Sequence, residues 1–150
     1  MKKIASLALA IYLACPLSAQ TIANMKDLTA GQKAAATSVK LTGTLSTRGN
    51  SDIRQLRDLC WQLKHVDLST ANCPTLPANA FHSRHRLVSV VLPANLKSIG
   101  TQAFFACDAL KQLTLPATLE EVGATAFSGC SSLESITIEG APRLGGFAFR

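Results

Sequence analysis

The feature that most constrains this chain is an internal repeat of 23 residues. Residues 87–109 and 110–132 align with each other without a gap. Residues 133–150 continue the pattern with one residue deleted, and residues 63–86 precede it with one residue added. A unit of this length cannot bury its own apolar face, so neighbouring units must bury one another. The sequence therefore predicts a solenoid over residues 63–150.

The apolar residues of the repeat fall in columns. The strand columns are Leu63, Leu87, Leu110 and Leu133, then Val66, Val90, Leu113 and Ile136, then Leu68, Leu92, Leu115 and Ile138. A further column holds Leu76, Ile99, Val122 and Leu144, and the last holds Phe81, Phe104, Phe127 and Phe149, each after an alanine. Short runs of Leu and β-branched residues favour one parallel strand per unit. The rest of each unit is expected to be a turn and a short helical or irregular return.

Glycine and proline also recur in register. Gly100, Gly123 and Gly145 follow the second apolar column, where a sharp turn would need a permissive backbone. Pro93 and Pro116 directly follow the strand residues, so strand pairing should end there.

Residues 1–19 have the layout of a secretory signal peptide. Lys2 and Lys3 precede an uncharged apolar stretch, and the small residues Ser18 and Ala19 follow it. Cleavage would leave Gln20 first and lower the net charge from +6 to +4, because two lysines leave. The surroundings of Cys15 faintly resemble a bacterial lipobox, which makes a lipid anchor the alternative. Both routes predict a bacterial protein that is secreted or at the cell surface or outer envelope, without a transmembrane segment after signal removal.

Two segments separate this leader from the repeats. Residues 20–37 are mostly small and polar and are expected to be weakly structured. Residues 38–62 are expected to form an N-terminal cap, with a strand over 38–42 and a helix that opens at Ser51. Ile53, Leu56, Leu59 and Cys60 fall on one face of that helix.

The repeat unit, L-x-x-h-x-L-P-x-x-L-x-x-I-G-x-x-A-F-x-x-C-x-x, resembles the BspA-type leucine-rich repeat of secreted and surface proteins. The resemblance implies an α/β-type repeat fold: a leucine-rich-repeat solenoid with a short parallel β-sheet, a strand–helix cap and a C-terminal end that is incomplete. It also implies binding or adhesion to a protein or glycoprotein. The first unit departs from the pattern, with Pro77 in the glycine column and Arg84 in the cysteine column, so its return loop should differ.

The motif search predicts no enzyme, no cofactor and no metal site. His65, Asp67 and Ser69 alternate along one strand, but Ser69 would lie about 13 Å from His65, which excludes a catalytic triad. The sequence lacks a phosphate-binding loop, H-E-x-x-H and G-x-S-x-G. Its basic residues are scattered, which argues against nucleic acid as a partner.

Cysteines and histidines allow a structural and a functional interpretation. Cys60, Cys107 and Cys130 form one column and Cys73 belongs to another, so small buried residues are favoured. A disulfide between Cys107 and Cys130 is the alternative, and zinc is disfavoured because no C-x-x-C spacing is present. Residues 82–86 are expected to form a solvated loop, or else a small basic patch that contacts an acidic protein or glycan.

The predicted contact surface consists of strand residues that alternate with the buried columns and face the concave side. They are Lys64, His65, Asp67, Val88, Ser89, Val91, Lys111, Gln112, Thr114, Glu134, Ser135 and Thr137. The function predicted is that of an exported, non-catalytic interaction module. An accessory repeat region of a larger secreted enzyme and a structural envelope protein are the alternatives. The apolar, outward-facing Val88 and Val91 argue against a purely structural protein.

Overall fold

The computed structural model describes residues 20–22, 25, 28–46 and 51–150. The predicted signal peptide, with Cys15, lies outside the described residues. The helices are α1 (Ala30–Ala35) and α2 (Asp52–Leu59). The strands are β1 (Gln20–Ile22), β2 (Ser38–Leu41), β3 (Gly43–Thr44), β4 (His65–Asp67), β5 (Ala71–Asn72), β6 (Thr75–Leu76), β7 (Ser89–Val91), β8 (Ser98–Ile99), β9 (Gln112–Leu115), β10 (Glu121–Val122), β11 (Ser135–Ile138) and β12 (Arg143–Leu144).

A parallel sheet in the order β1-β2-β4-β7-β9-β11 forms one side of the molecule. Val39, Val66 and Val90 are paired across β2, β4 and β7, and all three are buried. Because side chains alternate along a strand, the residues beside these valines point outward. The predicted strands, one per repeat unit, are confirmed.

The return of each coil contains a strand, which corrects the expectation of a helical or irregular segment. Strands β6, β8, β10 and β12 form a second parallel sheet of two-residue strands. Leu76, Ile99 and Val122 point from it into the core. The described part of the repeat region holds no helix, and the predicted solenoid with parallel strands is confirmed as a β-solenoid of about four turns with little helix.

The third side of each coil is the turn that carries the phenylalanine. The N–H groups of Asn79, Phe81 and Ser83 donate to carbonyls of the next coil at 3.0, 2.6 and 2.7 Å. The same bonds recur one and two coils later. The rings of Phe81, Phe104, Phe127 and Phe149 stack with centroids 5.0–5.3 Å apart. Each coil is thus bonded to its neighbour on all three sides.

This turn requires a left-handed backbone at two positions per coil. Asn79 and Gln102 occupy the first position with φ of 57° and 56°, and Ser83, Ala106 and Gly129 occupy the second. A left-handed residue other than glycine costs about 1–2 kcal/mol. The inter-coil hydrogen bonds donated from the same residues offset this cost and hold the conformation.

The recurring glycines are explained by close packing of coils and not by a turn. Gly100, Gly123 and Gly145 do not adopt the left-handed conformation. A Cβ on Gly123 would lie 2.6 Å from the carbonyl carbon of Gly100 and 2.8 Å from the Cα of Thr101. Only a residue without a side chain lets the two backbones approach this closely. The column was predicted, but for the wrong physical reason.

The N-terminal region is more ordered than the expectation of a weakly structured segment over residues 20–37. Strand β1 pairs with β2, and α1 begins with a capping box between Thr29 and Gln32. The buried carboxylate of Asp52 accepts hydrogen bonds from the N–H groups of Met25 and Ser46, both at 3.1 Å. These contacts join separate parts of the chain, which is why local sequence pattern did not reveal them.

The cap helix largely follows its prediction. Ser51 is the N-cap of α2, and Ile53, Leu56 and Cys60 are buried. Leu59 was expected on the same buried face but is 43% exposed. At 3.6 residues per turn Leu59 lies about 120° around the helix from Ile53, at the edge of the buried face.

The final coil has the most exposed apolar residues. Ile138, Leu144, Phe147 and Phe149 each remain at least 40% exposed. The counterparts of Ile138, Leu144 and Phe149 in the preceding coil, Leu115, Val122 and Phe127, are buried by the coil that follows.

Gly123 of the glycine column and Gly146, which lies outside it, give a matched pair of substitutions. Gly123→Ala should destabilise the protein by on the order of 3 kcal/mol, since the new methyl group meets backbone that cannot move aside. Gly146→Ala, where a Cβ would have no neighbour within 4 Å, should change stability by less than about 0.5 kcal/mol. Urea unfolding of the two variants measures the difference. Equal stabilities would contradict the close approach of the coils.

Candidate interaction face

The predicted contact residues lie on the outer side of the first sheet, which we call the strand face. His65, Ser89, Gln112 and Ser135 form one row across the paired strands. Asp67, Val91, Thr114 and Thr137 lie two residues further along the same strands. The remaining predicted residues, Lys64, Val88, Lys111 and Glu134, stand directly before the strands. Most of the set is exposed, and Asp67, Val88 and Ser89 are half-buried.

At its N-terminal end the strand face carries paired polar groups. The ammonium group of Lys40 lies 2.8 Å from the carboxylate of Asp67. Partial burial would raise the pKa of Asp67, but hydrogen bonds from Lys40 and Ser69 outweigh it and hold the pKa below its usual value. Nδ1 of His65 and Oγ of Ser89 are hydrogen-bonded at 2.8 Å. These side chains are therefore held in place before any partner arrives.

Lys40 is not among the predicted contact residues, but it belongs to the strand face. It lies on β2, in register with Asp67. The repeat columns begin only at residue 63, so they gave no information about the cap strand. The alternation within β2, with Val39 and Leu41 buried and Ser38 and Lys40 outward, is the pattern that could have identified it.

The centre of the strand face is a shallow apolar depression. It has a volume of about 390 Å³. Its lining consists of strand residues and of residues that follow the strands: Ser89, Val90, Val91, Leu92, Ala94, Gln112, Leu113, Thr114, Pro116 and Glu139. Val91 is 50% exposed at this point. The depression combines apolar contact area with hydroxyl, amide and carboxylate groups around it.

The arrangement does not form a catalytic triad. The carboxylate of Asp67 is bonded to Lys40 and to the backbone N–H of Ser69, and not to His65. The pair of His65 and Ser89 therefore has no carboxylate that orients the imidazole, which nucleophilic catalysis of this kind requires. Within the described residues, no group of three or more His, Cys, Asp or Glu side chains could hold a metal ion.

The four cysteines of the described region are free thiols. Cys60, Cys73 and Cys107 are buried and Cys130 is half-buried, which confirms the structural interpretation; the disulfide considered for Cys107 and Cys130 is not formed. The thiols of Cys107 and Cys130 donate to the carbonyls of Phe81 and Phe104 at 3.1 and 3.2 Å. Burial raises the pKa of Cys107 to about 12 and the pKa of Cys130 to about 11.

These raised pKa values predict thiols that react only after unfolding. At pH 8 the peptides containing Cys60 and Cys107 should stay unmodified by iodoacetamide, and should react fully in denaturant. Mass spectrometry of the digested protein measures the labelling. Stability should also fall as the pH rises above 9, because the unfolded thiols lose their protons there while the folded ones keep them to about pH 11–12. Rapid labelling of the folded protein would contradict this packing.

Residues 82–86 are only partly the solvated loop that was expected. The ring of His82 stacks on Phe105 at 5.0 Å, and Arg84 is half-buried. His85 and Arg86 are exposed, where His85 pairs with Asp108 at 2.7 Å and Arg86 bonds to Gln62. The first half of the segment is thus part of the coil, and the prediction of a solvated loop is wrong for it.

Comparison with known proteins places the repeat pattern in a family. The family model described as "BspA type Leucine rich repeat region" matches residues 58–150, in six copies. The chain belongs to the BspA-type leucine-rich-repeat family. A BspA-type repeat region indicates a protein-interaction module, and proteins of this kind are typically non-catalytic.

Among solved structures, the chain is similar to the crystal structure of a leucine-rich-repeat protein from T. pallidum. The two chains are 20% identical, and their superposition has a TM-score of 0.47. The match covers 88% of this BspA-type chain and 68% of the other chain. None of the curated proteins matches its sequence. In the described part of the chain, no helix is long and apolar enough to cross a membrane.

Proposed function

We propose that this protein is an exported, adhesin-type module that binds a protein or glycoprotein through its strand face. The observation that carries the proposal is the half-exposed Val91 in the central depression. The inward-facing apolar columns account for the packing of the coils, and an outward valine adds nothing to that packing. Val91 lines the depression together with Ala94 and Pro116, and a contiguous apolar area of this kind is typical of a contact surface.

The polar groups around the depression support the same function. Asp67 is bonded to Lys40, and His65 to Ser89, so these side chains have already lost much of their conformational freedom. Binding to a surface that is ordered in advance costs less entropy. Free acceptors and donors on Gln112 and Thr114 beside Val91 would give such contacts direction.

The size of the strand face limits its affinity. The five strands β2, β4, β7, β9 and β11 have three or four residues each. At about 12 Å long and about 4.8 Å apart they give roughly 300 Å². A stable interface buries about 800 Å² on each partner. We therefore propose weak binding by a single copy, with strong adhesion arising from many copies on one surface.

The face is tested by two added carboxylates. Val91→Glu combined with Thr114→Glu should abolish binding to an immobilised extracellular-matrix extract, because the depression then has to desolvate two charges. The measurement compares monomeric protein with protein arrayed on beads, using surface plasmon resonance for the monomer and bead retention for the array. The array should bind at least about a hundredfold better than the monomer.

A charge-matched control uses β6 and the turn that follows β8. Thr75→Glu with Thr101→Glu adds the same two charges to exposed positions away from the strand face and should leave binding unchanged. Loss of binding in both double variants would indicate a general charge effect. Full binding by the first double variant would exclude the strand face as the contact surface.

Export is the second part of the proposal and rests on the layout of residues 1–19. Expression of the full chain in a bacterium should yield an extracytoplasmic protein that begins at Gln20. Intact-mass measurement checks this, with Cys15→Ser as a control that should be processed in the same way. A diacylglyceryl group on Cys15 would replace the secreted form with a lipid-anchored one, and uncleaved protein in the cytoplasm would contradict export.

A further inference from the structure

Arg84 interrupts a column whose other members are small and buried. The same position holds Cys60 in the cap and Cys107 and Cys130 in the later coils. In those later coils the thiol fits beneath the phenylalanine turn and donates to its carbonyl. Burial raises the pKa of Cys60, and the nearby positive charges of Lys33 and Arg84 lower it. A guanidinium group therefore stands where the repeat elsewhere places a small thiol.

The guanidinium of Arg84 lacks the partner that its burial calls for. Nε is buried, and no group in the described part of the chain accepts a hydrogen bond from it. The ion pairs of the described residues do not include Arg84 either. Buried donors are nearly always paired in folded proteins, so an unpaired one at a departure from the repeat needs an explanation.

Arg84 lines a cavity between the cap helix and the first repeat coil. The cavity has a volume of about 480 Å³, and its other lining residues are Arg57, Asp58, Asn79, His82 and Ser83. Asp58 is its one carboxylate, and this group already pairs with Arg57 at 2.6 Å and with Arg54 at 3.3 Å. The hydrogen bond from Arg57 lowers the pKa of Asp58 against the effect of partial burial. Among the described residues, the positive charge of Arg84 therefore has no ion-pair partner.

We propose that this cavity, with Arg84 as its principal ligand-binding residue, is a binding site for an oxyanion: a phosphate, sulfate or carboxylate group. Such a group supplies the negative charge that the cavity lacks; because Nε is buried, the terminal amino groups of the Arg84 guanidinium would contact it. The planar guanidinium binds two oxygens of an oxyanion at once. The hydroxyl of Ser83 and the ring of His82 are bonded to each other at 2.9 Å and lie beside it; the partner that accepts in this bond has its own hydrogen left to donate to the ligand.

The site is independent of the strand face. It is formed by the phenylalanine turn and the cap helix, whereas the strand face is formed by the outer side of the first sheet. The left-handed backbone of Asn79 and Ser83 shapes its rim. The first repeat therefore has a binding feature that the second and third repeats, with Cys107 and Cys130, do not share.

The test uses a substitution that restores the repeat pattern. The full chain and its Arg84→Cys variant are titrated with sodium phosphate, sodium sulfate and sodium acetate at constant ionic strength under reducing conditions. The arginine Nε–H resonances are followed by ¹H–¹⁵N NMR. One resonance should shift and saturate in the original protein. In Arg84→Cys that resonance should disappear. Bound ligand also raises the melting temperature, and Arg84→Cys should need at least about tenfold more ligand for the same rise.

A matched control separates the site from net charge. Arg86→Cys removes the same charge from an exposed neighbour and should bind like the original protein. Because Arg84→Cys introduces the residue that later coils accommodate, it should fold, and its unfolding curve verifies this. Saturation by phosphate and sulfate, or by acetate alone, would identify the oxyanion that is bound. Shifts that never saturate, or equal binding by Arg84→Cys, would overturn the proposal.

Discussion

Every coil of this protein is held in place by backbone hydrogen bonds to the coils on either side. The bonds run along the strand face, along the second sheet and through the phenylalanine turn, so no side of the coil is left to side-chain packing alone. In this register each residue lies on the corresponding residue of the next coil. Leucine lies on leucine and phenylalanine on phenylalanine, and the apolar columns become continuous. The contact of Gly123 with the backbone of the preceding coil is a direct consequence of that spacing.

Much of the fold was readable from the sequence because a repeat displays its constraints several times. The strand columns, the phenylalanine column and the cap helix were all predicted from spacing. The second sheet was not, since two-residue strands such as β8 are too short for alternation to appear. The left-handed residues were also missed, because Gln102 and Ala106 have no intrinsic preference for that conformation. Their geometry is imposed by bonds to the next coil, which lies 23 residues away in sequence.

In the candidate sites, too, the sequence predicted what depends on neighbouring residues and missed the contacts between residues far apart in the chain. Alternation along a strand identified Val91 and Thr114 as outward residues without any knowledge of the fold. The pairing of Lys40 with Asp67 joins residues 27 positions apart, and no repeat column contains Lys40. Arg84 stood out in the sequence as a departure from the cysteine column. The sequence could not show that Nε of Arg84 is buried without a hydrogen-bond partner. Nor could it show that the carboxylate of Asp58 is already paired with Arg54 and Arg57.

The presence of hydrogen-bonded ladders on every side of the coil determines how such a molecule can grow. A ladder fixes the distance between neighbouring chains at about 4.8 Å. The two sheets lie on different sides of each coil and have the same spacing between neighbouring chains. Neither side of the stack is therefore shorter than the other, and the stack has no side towards which it can bend. Each added repeat then lengthens the strand face by one strip of about 60 Å², so roughly thirteen strands would span a standard interface. In a protein built this way, the area of the strand face is set by the number of repeats and not by the length of any one strand.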